Sequence, residues 1–151
     1  MTLLEHLKAV RELIGTPEKW TKQVYARDHY GMQCSIQSEE ACTYCIVGAI
    51  RKICDYRASN TYNFLKTYSP MKSPQGEGEL ICFNDNPCTE HSSMMTILDK
   101  AINDAELEEF AKQLSNTYLD PNTPIVFGGG FNYGDLPDAP KKLDTQDLKG
   151  N

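Results

Sequence analysis

The chain has 151 residues, 40% of them hydrophobic and 24% charged, with a net charge of −6. That length suits one domain able to bury its own core, and the composition excludes wholesale disorder. The charge is uneven: residues 1–58 carry 8 Lys/Arg against 7 Asp/Glu, and residues 59–151 carry 7 against 14. An acidic second half lacks the clustered cations that displace counterions from a phosphate backbone, so nucleic acid is not an expected partner. No apolar run reaches the length of a membrane span, and the N-terminus reads as a helix start rather than a signal peptide. The six cysteines, at 34, 42, 45, 54, 82 and 88, then read as reduced thiols of a cytoplasmic protein.

Thr2-Leu3-Leu4-Glu5 is a capping box, with threonine accepting from the third helical N–H and glutamate reaching back. The helix that follows carries Leu3, Leu4, Leu7, Val10, Leu13 and Ile14 on one stripe, and Gly15 ends it. Thr16-Pro17-Glu18 is a second helical start leading to Trp20, the single tryptophan, which reads as a packing residue. Residues 23–36 alternate weakly around Asp28-His29-Tyr30-Gly31 and predict a β-hairpin, whose polar turn needs no function to explain it. Ser38 is expected to cap the next helix, with Cys42, Cys45, Ile46, Ala49, Ile50 and Ile53 at helical spacing. A shorter helix is expected over Asn60–Tyr68, then a Pro/Gly/Ser loop over 69–79.

Leu80–Phe83 is a short apolar run feeding a polar turn, Asn84-Asp85-Asn86-Pro87, and a helix starts near Thr89. That helix continues or restarts through Glu106–Leu114, with Leu107, Phe110, Ala111 and Leu114 expected inward. The chain therefore reads as mainly α: four or five helices with a small β-hairpin in a compact domain over 1–116. An irregular glycine/aromatic segment and polar tail follow over 117–151.

Four groups of residues could carry chemistry. Cys42-x-x-Cys45 and Cys88-x-x-His91 have zinc-ligand types, but Cys42 and Cys45 fall on an apolar stripe where cysteine acts as a small hydrophobe. Cys45 or Cys42, with His91 and Asn84 or Asp85, supply the types of a cysteine–histidine hydrolase. On the Ser38 cap, though, Cys45 lies about two turns into its helix, beyond most of the dipole that would activate it. Asn84, Asp85, Thr89 and His91, with Trp20 and Asp28, could line a small ligand site; the simplest account of them is a polar clasp at a helix start. Phe127-Gly-Gly-Gly-Phe131-Asn-Tyr133 lacks both the P-loop and the dinucleotide fingerprints, and its aromatics suit partner binding. None of these motifs calls for a cofactor.

Taken together, P-E-K-W, A-R-D-x-x-G, C-x-x-G-A-I and F-N-D-N-P-x-T-x-H over residues 3–105 resemble a family of small uncharacterised proteins of phages and their bacterial hosts. The N-D-x-P-x-T-x-H segment, here Asn84, Asp85, Pro87, Thr89 and His91, is the most specific part, with Trp20, Asp28, Cys45 and Gly48 also matching. The resemblance implies a compact, mostly helical fold and a phage or bacterial cytosolic setting, and it assigns no activity. The expected function is non-covalent binding of a host or virion protein.

Overall fold

A computed structural model describes residues 1–54, 60–72 and 78–118. Helix α1 spans Leu3–Leu13, opened by the expected capping box: Glu5 N–H donates to Thr2 Oγ1 at 3.2 Å, and Thr2 N–H to Glu5 Oε2 at 2.7 Å. A 3-10 turn over Pro17–Lys19 leads into strand β1, Ala26–Asp28, which pairs antiparallel with β2, Ala41–Tyr44. Helix α2 spans Ile46–Ile53, α3 Asn60–Leu65 (extended by a 3-10 turn to Tyr68), α4 Glu79–Asp85 and α5 His91–Tyr118. The mainly α architecture with one small hairpin is therefore present as the sequence predicts.

The core is one cluster. Leu7, Val10 and Ile14 of α1 pack against α2 and α5, which contribute Ile46, Ala49, Ile50, Met94, Leu98 and Ala101. Leu65 and Leu80 close it from α3 and α4. Ion pairs Arg11–Asp99 and Lys8–Glu106 tie α1 to α5 at the surface; each is more than two-fifths exposed and adds little.

Several elements differ from the sequence expectation. The helix capped by Ser38 does not form: Ser38 closes a turn, accepting from Glu40 N–H on its hydroxyl and from Ala41 N–H on its carbonyl. The chain then runs extended through Cys42, Thr43 and Tyr44 before α2 begins, with Cys45 as N-cap. Cys42 lies at helical spacing from Cys45 but is an exposed strand residue. Leu80–Phe83 is helical, with Leu80, Phe83 and Asn84 buried while Ile81 and Cys82 face out. Leu107, Phe110, Ala111 and Leu114 point outward, although α5 is continuous through them.

The hairpin turn falls at Asp28–Met32, where Asp28 Oδ1 accepts the N–H groups of Tyr30 and Met32, each at 2.9 Å. Asp28 thus serves the turn. The returning chain meets β1 only at a bridge from Arg27 to Gln33, and the strand that pairs fully is β2.

Where α2 starts, it crosses the backbone that enters β1. Cys45 N–H donates to the Tyr25 carbonyl at 3.2 Å, and a Cβ on Gly48 would sit 1.9 Å from that same oxygen. Alanine in a helix interior ordinarily gains about 1 kcal/mol over glycine, but this overlap is with backbone and cannot be relieved by a rotamer. Gly48→Ala is expected to destabilise the fold by about 3 kcal/mol, read as a lowered urea midpoint at unchanged m-value.

Candidate functional site

The site is built around Asn84, the penultimate residue of α4, whose side chain is fully buried. Its Oδ1 accepts from Trp20 Nε1–H at 2.8 Å and from Ile46 N–H at 3.1 Å. Its Nδ2 donates to the Thr21 carbonyl at 3.1 Å and to Asp85 Oδ1 at 2.8 Å. These partners fix the amide orientation, because two N–H donors meet the oxygen while a carbonyl and a carboxylate meet the nitrogen. Ile46 is the first residue of α2, so Asn84 satisfies one of that helix's unpaired N–H groups from across the fold. Cys45 satisfies another: its Sγ accepts from Gly48 N–H at 3.3 Å.

The segment 20–23 is held against this corner along its length. Lys22 Nζ donates to the Asn86 carbonyl at 2.8 Å and the Thr89 carbonyl at 2.6 Å, and lies 5.0 Å from the Trp20 ring centre. Gln23 N–H donates to Asp85 Oδ1 at 2.8 Å, and Gln23 has φ of +69°, the left-handed region that a side-chain-bearing residue occupies at a cost. The Trp20 ring is tilted against His91, with ring centres 5.9 Å apart. His91 Nε2 is 2.7 Å from the Ile14 carbonyl; a carbonyl only accepts, so this nitrogen carries the proton.

A cavity of about 250 Å³ opens beside the clasp. Val24, Val47 and Ile81 give it apolar walls, and Gln23, Gln33 and Asp85 give it polar ones; Tyr25, Cys45 and Asn84 also line it. Arg51 lies over the Tyr25 ring at 4.5 Å. Burial pushes the Cys45 thiol above its ordinary pKa, against the opposing pull of the Gly48 and Val47 N–H groups.

Of the residues singled out in the sequence, Trp20, Asn84, Asp85 and His91 are brought together, and Cys45 reaches them through the cavity they share. Thr89 joins through its backbone carbonyl and Asp28 stays at the hairpin turn. No hydrogen bond among the described residues joins Cys45 to His91; the histidine faces Ile14 and Trp20, the thiol faces Gly48. Cys42 and Cys88 are exposed, and no group of three metal-ligating side chains forms among the described residues. Phe127, Phe131 and Tyr133 lie outside the described residues. Sequence reasoning missed Lys22, Gln23 and Ile46, because their contacts are to residues far along the chain and leave no local pattern; it also missed Gln33, which bridges to Arg27 and lines the cavity.

This is a helical domain whose most polar buried cluster is a clasp at a helix junction. The chain belongs to DUF6197, a family of unknown function, whose model matches residues 1–104. No curated protein and no solved structure matches it. The matched region ends one residue before Ala105, the last buried hydrophobic residue described on α5.

Two expectations follow. Asn84→Leu leaves Trp20 Nε1–H, Ile46 N–H and the Thr21 carbonyl without their partner. The Ile46 N–H is buried and the other two groups are part-buried, so at about 1–3 kcal/mol for a buried orphan the loss of stability in urea titration is expected to be about 2–3 kcal/mol. In alkylation at neutral pH followed by mass spectrometry, exposed Cys42, Cys82 and Cys88 react first, and buried Cys45 reacts only after denaturant is added.

Proposed function

We propose that this protein is a small accessory protein, phage-encoded and acting in the bacterial cytosol, that binds a host or virion protein without covalent chemistry. The observation that carries the binding reading is the cavity beside the clasp. Its volume, about 250 Å³, falls below the roughly 300–1,000 Å³ of small-molecule sites, and suits a single inserted side chain better than a whole ligand. Tyr25 at 40% and Ile81 at 37% exposure supply apolar surface at its edge, while Asp85 and Gln33 offer polar contacts that would orient the insert. The exposed Tyr30 and Met32 of the nearby hairpin turn extend the apolar surface available to a partner. The phage setting rests on the sequence resemblance alone.

A cysteine–histidine hydrolase centred on Cys45 and His91 has less support. Its base would have to act through Nδ1, because Nε2 carries its proton to Ile14, and its thiol is held neutral by burial.

A photo-reactive side chain at Gln33 is expected to cross-link a partner protein from host lysate. The yield should fall at least tenfold when Ile81→Arg obstructs the cavity edge, and the same probe at exposed Glu12 should capture nothing comparable. Equal capture from both positions argues against the cavity, and turnover lost in a folded Cys45→Ser variant argues for the hydrolase.

A further inference from the structure

Among the described residues that line the cavity beside the clasp, Asp85 is the one that carries charge. Its two carboxylate oxygens are used unequally. Oδ1 accepts from Gln23 N–H and from Asn84 Nδ2, each at 2.8 Å, whereas Oδ2 has no hydrogen bond among the described residues. The side-chain amides of Gln23 and Gln33, which line the same space, make none there either. Asp85 forms no ion pair among the described residues. Lys22 does not serve it, because its Nζ is bonded to the Asn86 and Thr89 carbonyls; Arg51 is not a lining residue and lies over the Tyr25 ring.

We infer that the side chain entering this cavity is a lysine of the partner protein, an inference that rests on the binding reading proposed above. The cavity joins two chemistries, apolar walls from Val24, Val47 and Ile81 and an underused carboxylate. Lysine joins the same two, laying its methylene stem on apolar surface and carrying its charge at the tip. A wholly apolar insert would strip water from Asp85 and return nothing for it, and an acidic one would set like charges together. Arginine is a poorer match. Its planar fork calls for both oxygens of one carboxylate, and Oδ1 already receives two N–H groups. An ammonium has three rotatable donors, which need only Oδ2 and the amide oxygens of Gln23 and Gln33.

The probe is Nα-acetyl-lysine N-methylamide, titrated into the isotope-labelled full chain while the backbone amide resonances are followed. Saturable shifts are expected at Gln23, Gln33 and Val47, with a dissociation constant on the order of 1 mM for so small a fragment. The norleucine analogue, which lacks only the ammonium, and the Nζ-acetylated analogue, which lacks only its charge, should each bind at least tenfold more weakly. Asp85→Asn keeps Oδ1 for Gln23 and Asn84, so its urea midpoint should stay near that of the parent while lysine binding falls at least tenfold. Gln33→Glu, at an exposed position, should tighten lysine binding at least threefold. Norleucine binding as tightly as lysine overturns the inference and leaves a cavity for an apolar side chain, so the broader binding reading stands. Shifts that persist in folded Asp85→Asn overturn it, as does tighter binding of the arginine analogue. Tenfold tighter binding of cadaverine makes the site one for free diamines and overturns the partner's role. Silence from every probe overturns both the lysine and the cavity as a point of insertion.

Discussion

One carboxamide holds the junction together. Asn84 uses all four of its hydrogen-bonding positions, on Trp20, Ile46, Thr21 and Asp85, and so connects the segment after α1, the start of α2 and the end of α4. A buried amide is costly unless fully satisfied, and once satisfied it admits one arrangement of its partners. It therefore fixes how the segment after α1, the start of α2 and the end of α4 meet.

Downstream of that constraint, the cavity follows almost as a geometric remainder. Asp85 holds Gln23 in a left-handed conformation, which turns the chain away from α4 just before Val24 and Tyr25 run on toward β1. The same Tyr25 carbonyl anchors the start of α2 through Cys45, with Gly48 allowing the close approach. A space bounded by α4, the turned segment and the α2 start is left between them. Its polar wall is in part the clasp itself, so residues that stabilise the fold also line the cavity.

How much of this was legible in the sequence depended on the range of each interaction. The capping box of α1 was readable because Thr2 and Glu5 answer each other locally. Asn84, Asp85 and His91 stood out by residue type at a helix junction, and the structure brings them together with Trp20, which had read as a packing residue. What they bond to was not legible, since Asn84 caps α2, 38 residues back, rather than the helix that follows it. The start of α2 was misjudged because Cys42 fits the helical period of Cys45 and Ile46 by coincidence, while β pairing of Thr43 with Arg27 decides its conformation. Leu80–Phe83 was too short for periodicity to separate strand from helix. Leu107, Phe110 and Leu114 were assigned inward because amphipathicity reports that a face is apolar, not which body covers it.

The length of α5 has a further consequence. Up to Ala105 α5 is held by side chains buried in the core; beyond that residue its described side chains are mostly exposed, and the Lys8–Glu106 pair is a surface contact. A stretch of about a dozen residues is near the limit at which a helix persists in water, so the two halves of this one helix differ in local stability.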